Sequence, residues 1–455
     1  MLDTANTPLP RIAVLGQVPY TTIVSGAGSG VSRHGDIAVN RWRNDSTRDA
    51  YGQWCYLRDV RTGRIWSAGH QPVCADSSWY RVALANDRVT FHRRDGSFET
   101  LTEIVVVPGA PAEARRVVVS NLSDAETEIE LTSYQEIVLA PPVSDRGHRA
   151  FGNLFVQTEW LPGSGSILAM RRPRSAKDKP AWCGHTIAAG SVGSSSISCE
   201  TDRARFIGRG RSSRNPVAMD NPGELSGTVG AVLDPVVALR TRLLIPAGES
   251  ARVIFTTFVA EKRDEAVRLA GFYHVMGDAE RAFDLSAAEG ERELGELGIT
   301  AVAAAAYQDM AGVLLYGSPP AGALAAGRGD DEPGRAELLA MGITGEWPIL
   351  LATVQTLDGV ARVTELLTLH RYWRCKGIAC DLVILCGVAQ SDQQLKDEVV
   401  SIVIASGESD LLDQPRGVFV RRSDALRPKD VELLGSSARI RVDCSGPTMI
   451  EIADG

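Results

Sequence analysis

The sequence predicts a multi-domain α+β chain with a large antiparallel β-sandwich, a helical linker and a small α/β domain. The chain has 455 residues, which is too long for one ordinary hydrophobic core. Residues 1–260 consist of short β-rich segments separated by turn residues. The following residues change to helical periodicity, and the last part alternates strands with helices. We therefore place the domain boundaries after residues 260 and 333.

The predicted sandwich, residues 1–260, is defined by its strands and turns. Residues 97–107 (SFETLTEIVVV) end at a Pro-Gly pair, and residues 115–120 (RRVVVS) lead into an Asn-Leu-Ser-Asp turn. Further strands are predicted at residues 126–139, 236–245 and 251–259. Short strands with few helix-length patterns between them are typical of two packed antiparallel sheets.

The predicted linker, residues 261–333, begins with helices. Apolar residues recur at steps of three and four along residues 264–283, and the acidic Asp264 and Glu265 stand in the first turn, as a helix N-terminus favours. A second helix is predicted at residues 301–315. Residues 319–333 are rich in Gly, Ala, Pro and Asp, which predicts a flexible loop.

The last predicted domain, residues 334–455, alternates buried strands with helices. The strands are predicted at residues 347–354, 381–386, 417–421 and 438–442, and the helices at residues 357–376 and 393–406. Continuous apolar strands joined by helical crossovers indicate a small parallel sheet.

Composition excludes several classes of function. The net charge of −8 and the pI near 5.5 argue against a nucleic-acid partner, because neutralising phosphates requires a basic excess. No segment approaches the roughly 20 consecutive apolar residues of a membrane helix, so we expect no direct membrane span. The N-terminus lacks the pattern of a secretory signal, and we therefore expect a soluble, cytoplasmic chain.

Motifs for metals and cofactors are absent from the sequence. The chain contains no CxxC pair, no HExxH, no GxGxxG and no GxxxxGK[ST], so we expect neither a metal nor a cofactor. Cys375, Cys380 and Cys386 lie close together in sequence, and a metal site there is the alternative to buried, reduced thiols. Two of them flank an apolar strand, where a free thiol behaves as a small hydrophobe, and we therefore predict buried thiols.

Residues 25–73 have the composition of a sugar-binding surface. Half of the eight tryptophans lie in the first eighty residues, and arginines alternate with aspartates through the same segment. Sugars bind to aromatic faces and to planar polar groups that hydrogen-bond their hydroxyls. Core tryptophans and salt bridges within loops would produce the same composition, and composition alone favours that explanation.

Besides this composition, the sequence contains an ordered series of short motifs. Residues 37–43 (IAVNRWR), 56–59 (YLRD) and 71–72 (QP) resemble the N-terminal sandwich of the cellobiose-phosphorylase-type family, glycoside hydrolase family 94. The sequence also resembles cyclic β-1,2-glucan synthases at residues 137–142 (IVLAPP), 154–159 (LFVQTE), 200–206 (ETDRARF) and 342–349 (GITGEWPI). The resemblance extends over nearly the whole chain.

This resemblance implies a role without catalysis. In the family, an (α/α)6 barrel holds the general-acid aspartate and the phosphate-binding residues, and this chain has no barrel-length series of helices. We therefore expect a carbohydrate-binding, structural module that is inactive alone, with no catalytic residue. Its implied partners are β-1,2-linked glucan and the catalytic domains of a parent synthase. The resemblance further implies a bacterial protein in cyclic β-1,2-glucan synthesis, inner-membrane association through the parent synthase, and a homodimer by analogy.

The candidate sugar contacts come from the motif positions with suitable chemistry. They are Arg41, Trp42, Arg43, Arg48, Asp49, Tyr56 and Arg58. Trp42 supplies an aromatic face, and the arginines supply planar donors.

Two other functions remain open from the sequence. A pure scaffold without sugar binding predicts an exposed apolar patch for a partner domain. A free-standing glycoside hydrolase or transglycosylase requires two carboxylates about 5–10 Å apart. Asp45 with Asp49 and Glu136 with Glu159 are candidate pairs, although surface or salt-bridged carboxylates are the more ordinary interpretation.

Overall fold

The computed structural model describes residues 1–174, 181–190, 197–220, 222–317, 334–387 and 392–450. The chain divides into two compact units, Met1–Glu293 and Leu294–Gly455. The predicted flexible loop at residues 319–333 lies outside the described residues. The predicted class, a multi-domain α+β chain with large antiparallel sheets, is confirmed.

The first unit contains two antiparallel sheets. Its strands are β1 (Ile12–Gln17), β2 (Tyr20–Ser25), β3 (Gly30–His34), β4 (Ile37–Asn40), β5 (Gln53–Asp59), β6 (Ile65–Ser67), β7 (Trp79–Leu84), β8 (Arg88–Asp95), β9 (Phe98–Val106), β10 (Ala112–Asn121), β11 (Thr127–Ala140), β12 (Val156–Leu161), β13 (Ser166–Arg171), β14 (Ala181–Ala189), β15 (Ser198–Asp202), β16 (Pro235–Ile245) and β17 (Ser250–Ala260). The nine-stranded sheet follows the order β1-β2-β3-β4-β11-β16-β15, with β5 paired to β11 and β6 to β5. The eight-stranded sheet follows the order β12-β13-β14-β17-β10-β9-β8-β7.

The main core of this unit is formed by apolar side chains from both sheets. Burial alternates along β8 and β9, as expected for strands with one face turned to a core. Trp66 from the first sheet stacks on Phe98 from the second, with ring centroids 5.5 Å apart. Such pairs bury large apolar areas and account for much of the stability of a sandwich.

A polar contact also joins the two sheets inside this core. The ring of His185 on β14 hydrogen-bonds the hydroxyl of Ser133 on β11 at 2.8 Å and that of Thr257 on β17 at 2.9 Å. Burial, together with the charge of Arg115, lowers the pKa of His185 to about 3. The imidazole is therefore neutral, which suits a buried ring with hydroxyl partners.

Helices and loops cover the outer faces of both sheets. The helices of this unit are α1 (Pro142–Gly147), α2 (Arg149–Asn153), α3 (Arg203–Ile207), α4 (Arg263–His274) and α5 (Met276–Leu297), whose last turn crosses the unit boundary. Tyr273 of α4 packs on Phe258 of the second sheet, with centroids 5.8 Å apart. Phe206 of α3 stacks on Tyr134 of the first sheet at 4.5 Å. The central strand β11 is consequently buried on both faces along most of its length.

The single helix predicted over residues 264–283 is wrong, because the chain forms two helices there. Val275 between α4 and α5 has extended dihedral angles, φ −80° and ψ 119°. Nδ1 of His274 lies 2.8 Å from the carbonyl oxygen of Ile187 on β14. The break therefore lets the end of α4 contact the sheet while the apolar periodicity continues into α5.

The second unit has the predicted parallel α/β architecture. It contains β18 (Ile349–Val354), β19 (Asp381–Cys386), β20 (Val418–Arg422), β21 (Ala438–Asp443), α6 (Ala301–Tyr316), α7 (Arg335–Ala340), α8 (Val360–Cys375), α9 (Asp392–Ala405) and α10 (Pro428–Ser437). The sheet order is β20-β19-β18-β21, and every pair is parallel. The indole N–H of Trp373 on α8 donates to the carbonyl of Tyr307 on α6 at 2.8 Å, so these two helices are in contact.

Candidate functional site

The strand β11 positions the segment that contains most candidate residues. Along one edge of β11, residues 129–135 pair with β5, while Ile137 and Ala140 pair with β4. The strands β4 and β5 therefore lie end to end along the same neighbour. Residues 41–52, which connect them, leave the sheet as a loop, and we call this segment the 41–52 loop.

Arg41, at the start of this loop, is a buried cation with several partners. It is 2% exposed, and its Nη1 lies 2.5 Å from a carboxylate oxygen of Glu136. Its Nη2 donates to Asp145 at 3.0 Å and to the side-chain oxygen of Asn153 at 2.9 Å. Burial opposes the charged form, but the carboxylates outweigh it and raise the pKa of Arg41.

Glu136 is shared between three arginines. Besides Arg41, it accepts a hydrogen bond from Nε of Arg203 at 2.6 Å and lies 3.5 Å from Nη2 of Arg149. Asp234 accepts from Arg149 at 2.9 Å, which extends the network. Burial would raise the pKa of Glu136, but these guanidinium groups lower it below its ordinary value. The carboxylate is therefore ionised and fully engaged.

A small cleft with a volume of about 30 Å³ opens beside Arg41. Its lining includes Trp42, which is half-buried, together with Arg43 and Asp145. Nη2 of Arg43 lies 2.7 Å from a carboxylate oxygen of Asp145, and its Nη1 donates to the carbonyl of Trp42 at 2.8 Å. An aromatic ring and an oriented guanidinium group thus line the same cleft, which is suitable chemistry for a hydroxyl-rich ligand.

Arg48 and Asp49 lie at the far end of the 41–52 loop. Arg48 is exposed, and its carbonyl accepts from the side chain of Gln71 at 2.8 Å. Asp49 has a φ of 47°, in the left-handed region that aspartate tolerates better than most residues. Its carboxylate accepts from the hydroxyls of Ser25, at 2.6 Å, and Ser29. These contacts fix the far end of the loop to the β2–β3 connection.

Tyr56 and Arg58 lie away from the cleft. Both are buried on β5, where the phenol of Tyr56 donates to the carbonyl of Ser213 at 2.7 Å. Arg58 lies 3.4 Å from Glu130 and donates to the carbonyl of Asp220. The structure therefore brings Arg41, Trp42 and Arg43 together and places Tyr56 and Arg58 beneath the chain at residues 203–220.

Several residues of the cleft were not predicted as part of a site. Asp145 and Arg146 come from α1, about 100 residues after the 41–52 loop, and Asn153 and Asp234 complete the network around them. Nothing in a single sequence pairs an arginine with an aspartate at such a separation. Arg33 also lines the cleft, and its place in the arginine-rich stretch is the one sequence signal that points to it.

Three of the carboxylates that the sequence offers as candidates for glycoside hydrolysis lie in environments that lower their pKa, unlike the environment of a general acid. Glu159 pairs with the exposed Arg263, and the hydrogen bond from that arginine lowers the pKa of Glu159. Glu136 and Glu159 also belong to different sheets. The hydroxyl of Thr47 hydrogen-bonds Asp45 and lowers the pKa of that carboxyl. A general acid requires the opposite direction, a raised pKa.

The three clustered cysteines do not converge. Cys380 and Cys386 are separated by the extended strand β19, a span of about 20 Å. In the described part of the chain, no group of three or more His, Cys, Asp or Glu side chains has an arrangement that could hold a metal ion.

Comparison with known proteins agrees with this architecture. Residues 1–275 match the family model of the glycosyl hydrolase 94 supersandwich domain, and the chain belongs to this family. It is 30% identical over 425 residues to the cyclic beta-(1,2)-glucan synthase NdvB of Rhizobium meliloti (strain 1021), covering 92% of this chain and 15% of that protein. It is 25% identical over 284 residues to the N,N'-diacetylchitobiose phosphorylase of Vibrio furnissii, covering 61% and 34%.

The chain thus spans only a minor part of the curated relatives that it matches. Among solved structures, a bacterial glucoamylase complexed with acarbose aligns with a TM-score of 0.41 and 8% identity, over 70% of this chain and 42% of that one. No single helix among the described residues has the length and apolar composition to cross a membrane, although α5 and α6 pass that test together as a bent pair.

Proposed function

We propose that this chain is a non-catalytic module that contacts β-glucan for catalytic domains of a longer polypeptide. Membership of the supersandwich family supports a carbohydrate-related role. The observation that favours sugar contact is the cleft in which Trp42 and Arg43 lie side by side. The similarity to a cyclic glucan synthase over 92% of this chain favours β-1,2-linked glucan as the ligand.

Within this proposal, the candidate residues divide into two roles. Trp42 and Arg43 contact the sugar in the cleft, and Arg48 and Asp49 contact it from the far end of the loop. The buried Arg41, Tyr56 and Arg58 act as positioning residues, because they hold the segments that precede and follow the 41–52 loop.

The same relatives set the wider context of the proposal. We place the chain in bacterial cyclic β-1,2-glucan synthesis, on the cytoplasmic side, with inner-membrane association through a parent synthase. The domain division at residues 260 and 333 and a homodimer formed through the sandwich belong to the proposal as well. Sedimentation of the purified chain tests the dimer directly.

Titration calorimetry of the full chain with linear β-1,2-glucan tests the sugar contact. Trp42→Ala should weaken binding roughly tenfold or more, because the aromatic face at the centre of a contact usually dominates its free energy. Trp79→Ala is the matched control, since Trp79 is also half-buried and has a guanidinium group, that of Arg81, 5.1 Å from its ring centroid.

The outcomes separate the competing functions. Unchanged binding in a folded Trp42→Ala variant, or equal losses in both tryptophan variants, would refute the assignment of the cleft. A phosphate-dependent activity assay on the same sample tests the absence of catalysis, and turnover of the glucan would overturn it.

A second function, a scaffold that packs against neighbouring domains, is favoured by an exposed apolar segment. Val143, Phe151 and Leu154, on and next to α1 and α2, are 70%, 55% and 49% exposed. Exposed apolar residues grouped on neighbouring short helices are typical of contact surfaces when they form one patch. In the scaffold function, the double variant Phe151→Ser with Leu154→Ser abolishes self-association of the isolated chain, whereas Leu244→Ser on β16 leaves it unchanged. Light scattering after size-exclusion chromatography measures both.

A further inference from the structure

Two arginines in the cleft lack the carboxylate partners that the other arginines of this region have. Arg33, at the end of β3, lines the cleft, and its Nε is buried without a hydrogen-bond partner. Its guanidinium group lies 6.0 Å from the ring centroid of Trp42. Arg146, on α1, also lines the cleft and is exposed. Among the described residues, neither arginine forms an ion pair.

The other charges of the cleft do not neutralise this pair. The carboxylate of Asp145 is bound by both Arg41 and Arg43, at 3.0 and 2.7 Å. Arg41 is further compensated by Glu136. Arg33 and Arg146 therefore leave two uncompensated positive charges in one cleft.

The electrostatic environment of Arg33 is consistent with this arrangement. Burial lowers the pKa of Arg33, and the positive charge of Arg146 lowers it further. Arg33 is half-buried, and a half-buried charge without a counter-ion is costly; an anion bound by both guanidinium groups would reduce that cost. Guanidinium groups bind the oxygens of phosphate and carboxylate particularly well because their N–H donors form a planar fork.

We propose that the cleft formed by Arg33, Trp42, Arg43 and Arg146 binds a dianionic oxyanion of the phosphate class. Two uncompensated cations match two negative charges, which a phosphate supplies and a single carboxylate does not. The ring of Trp42 forms an apolar wall beside the anion. This site shares Trp42 and Arg43 with the proposed sugar contact, but it is argued from the charges of Arg33 and Arg146 and so goes beyond the proposed function.

Isothermal titration of the full chain with inorganic phosphate, at constant ionic strength, tests the proposal. The wild-type chain should bind phosphate, sulfate should compete with it, and acetate should not. Arg146→Gln should weaken phosphate binding about tenfold or more, because it removes a charged donor. This variant is safe for the fold, since Arg146 is exposed and makes no ion pair among the described residues. Arg94→Gln, an exposed arginine on β8, is the matched control and should bind as wild type.

Two further arms complete the experiment. Arg33→Gln should lose binding to a similar extent, and its folding is checked by circular dichroism. Glycerol phosphate replaces inorganic phosphate in a parallel titration: binding of both supports a site for phosphate esters, and binding of inorganic phosphate alone supports a site for the free ion.

The proposal is overturned if neither phosphate probe binds at millimolar concentration, or if Arg146→Gln and Arg94→Gln bind equally well. Because no glucan is present in these titrations, their failure is distinguishable from failure of the proposed glucan contact.

Discussion

Arg41 holds Asp145 by two nitrogens, with Nε and Nη2 at 3.2 and 3.0 Å from the same carboxylate oxygen. The two residues are 104 positions apart, and both are buried. The pair fixes α1 against the end of β4 and so determines one wall of the cleft. Asp145 keeps its charge because, although burial would raise its pKa, the hydrogen bond from Arg41 lowers it below the ordinary value.

Removing Arg41 should therefore destabilise the first unit strongly. Arg41→Met leaves Asp145 and Glu136 as buried carboxylates with fewer counter-charges, for which losses of about 3–5 kcal/mol in the free energy of unfolding are typical. Denaturant unfolding followed by tryptophan fluorescence measures the loss. Arg94→Met on the surface should change the stability by no more than about 0.5 kcal/mol. Similar effects of the two substitutions would contradict the structural role given to Arg41.

His185 should make the first unit sensitive to mild acid. Its pKa in the folded chain is lowered to about 3 by burial and by Arg115, whereas the ordinary value is about 6.5. The unfolded state therefore binds the proton more readily, and stability is lost as the pH falls from about 6.5 towards 3. His185→Gln should flatten this dependence, and His148→Gln, at an exposed position, should not. Unfolding curves at a series of pH values would reveal the difference, and parallel curves for all three proteins would refute it.

Asp381 should give the second unit a pH dependence of opposite sign. Burial, with a contribution from Glu346, raises its pKa to about 6, although the backbone N–H of Arg416 donates to it at 2.8 Å. The folded state holds the proton more tightly, so stability is greatest below about pH 4 and is lost as the pH rises through about 6. Asp381→Asn should remove this loss and be at least as stable as wild type at pH 7.

The readout for Asp381 must be local, because the two units need not unfold together. Hydrogen exchange of peptides from β19, compared between variant and wild type at each pH, provides it. Burial lowers the pKa of His370 to about 4, so this residue changes the stability in the opposite direction over an overlapping pH range. Because His370 is present in both proteins, comparing the variant with the wild type cancels its contribution. Faster exchange in Asp381→Asn at pH 7 would contradict the prediction.

Thiol reactivity should follow burial. All eight cysteines are free, and five of them, Cys183, Cys199, Cys380, Cys386 and Cys444, are buried. Burial raises the pKa of Cys55 to about 12, so that thiol should react slowly although it is only partly covered. In the native chain we expect a thiol-specific reagent to modify Cys74 and Cys375 first, and all eight cysteines after denaturation. Peptide mass mapping identifies the modified positions, and rapid native labelling of Cys380 would contradict the described core.

The sequence predicted the secondary structure best in segments where one hydrophobic periodicity dominates. The strand β19 was predicted residue for residue, because a short run of Leu, Val and Ile with Gly377 before it and Gly387 after it admits few alternatives. The helix over residues 264–283 was predicted without its break, because the apolar repeat continues through Val275 while a contact to β14 decides the backbone there. Such tertiary contacts override local propensity.

The candidate site was only partly predicted, because here too tertiary contacts decide which side chains meet. The alternation of residue types along β5 puts Tyr56 and Arg58 on one face, but it does not reveal that the chain at residues 203–220 covers that face. The role of Asp145 was not predictable, since only the folded sheet brings α1 beside Arg41. Whether these residues contact sugar stays a prediction until binding is measured.

The end-to-end placement of β4 and β5 along β11 has an evolutionary consequence. Both strands keep their register through their own hydrogen bonds to β11, so insertions or deletions in the 41–52 loop need not shift either strand. Descendants of an ancestral supersandwich could therefore replace the part of this loop between Arg43 and Arg48 and acquire a new ligand preference, while the anchoring residues Arg41 and Asp49 kept the scaffold constant. For protein engineers, the same property makes residues 44–47, between these anchored positions, the natural place for grafting.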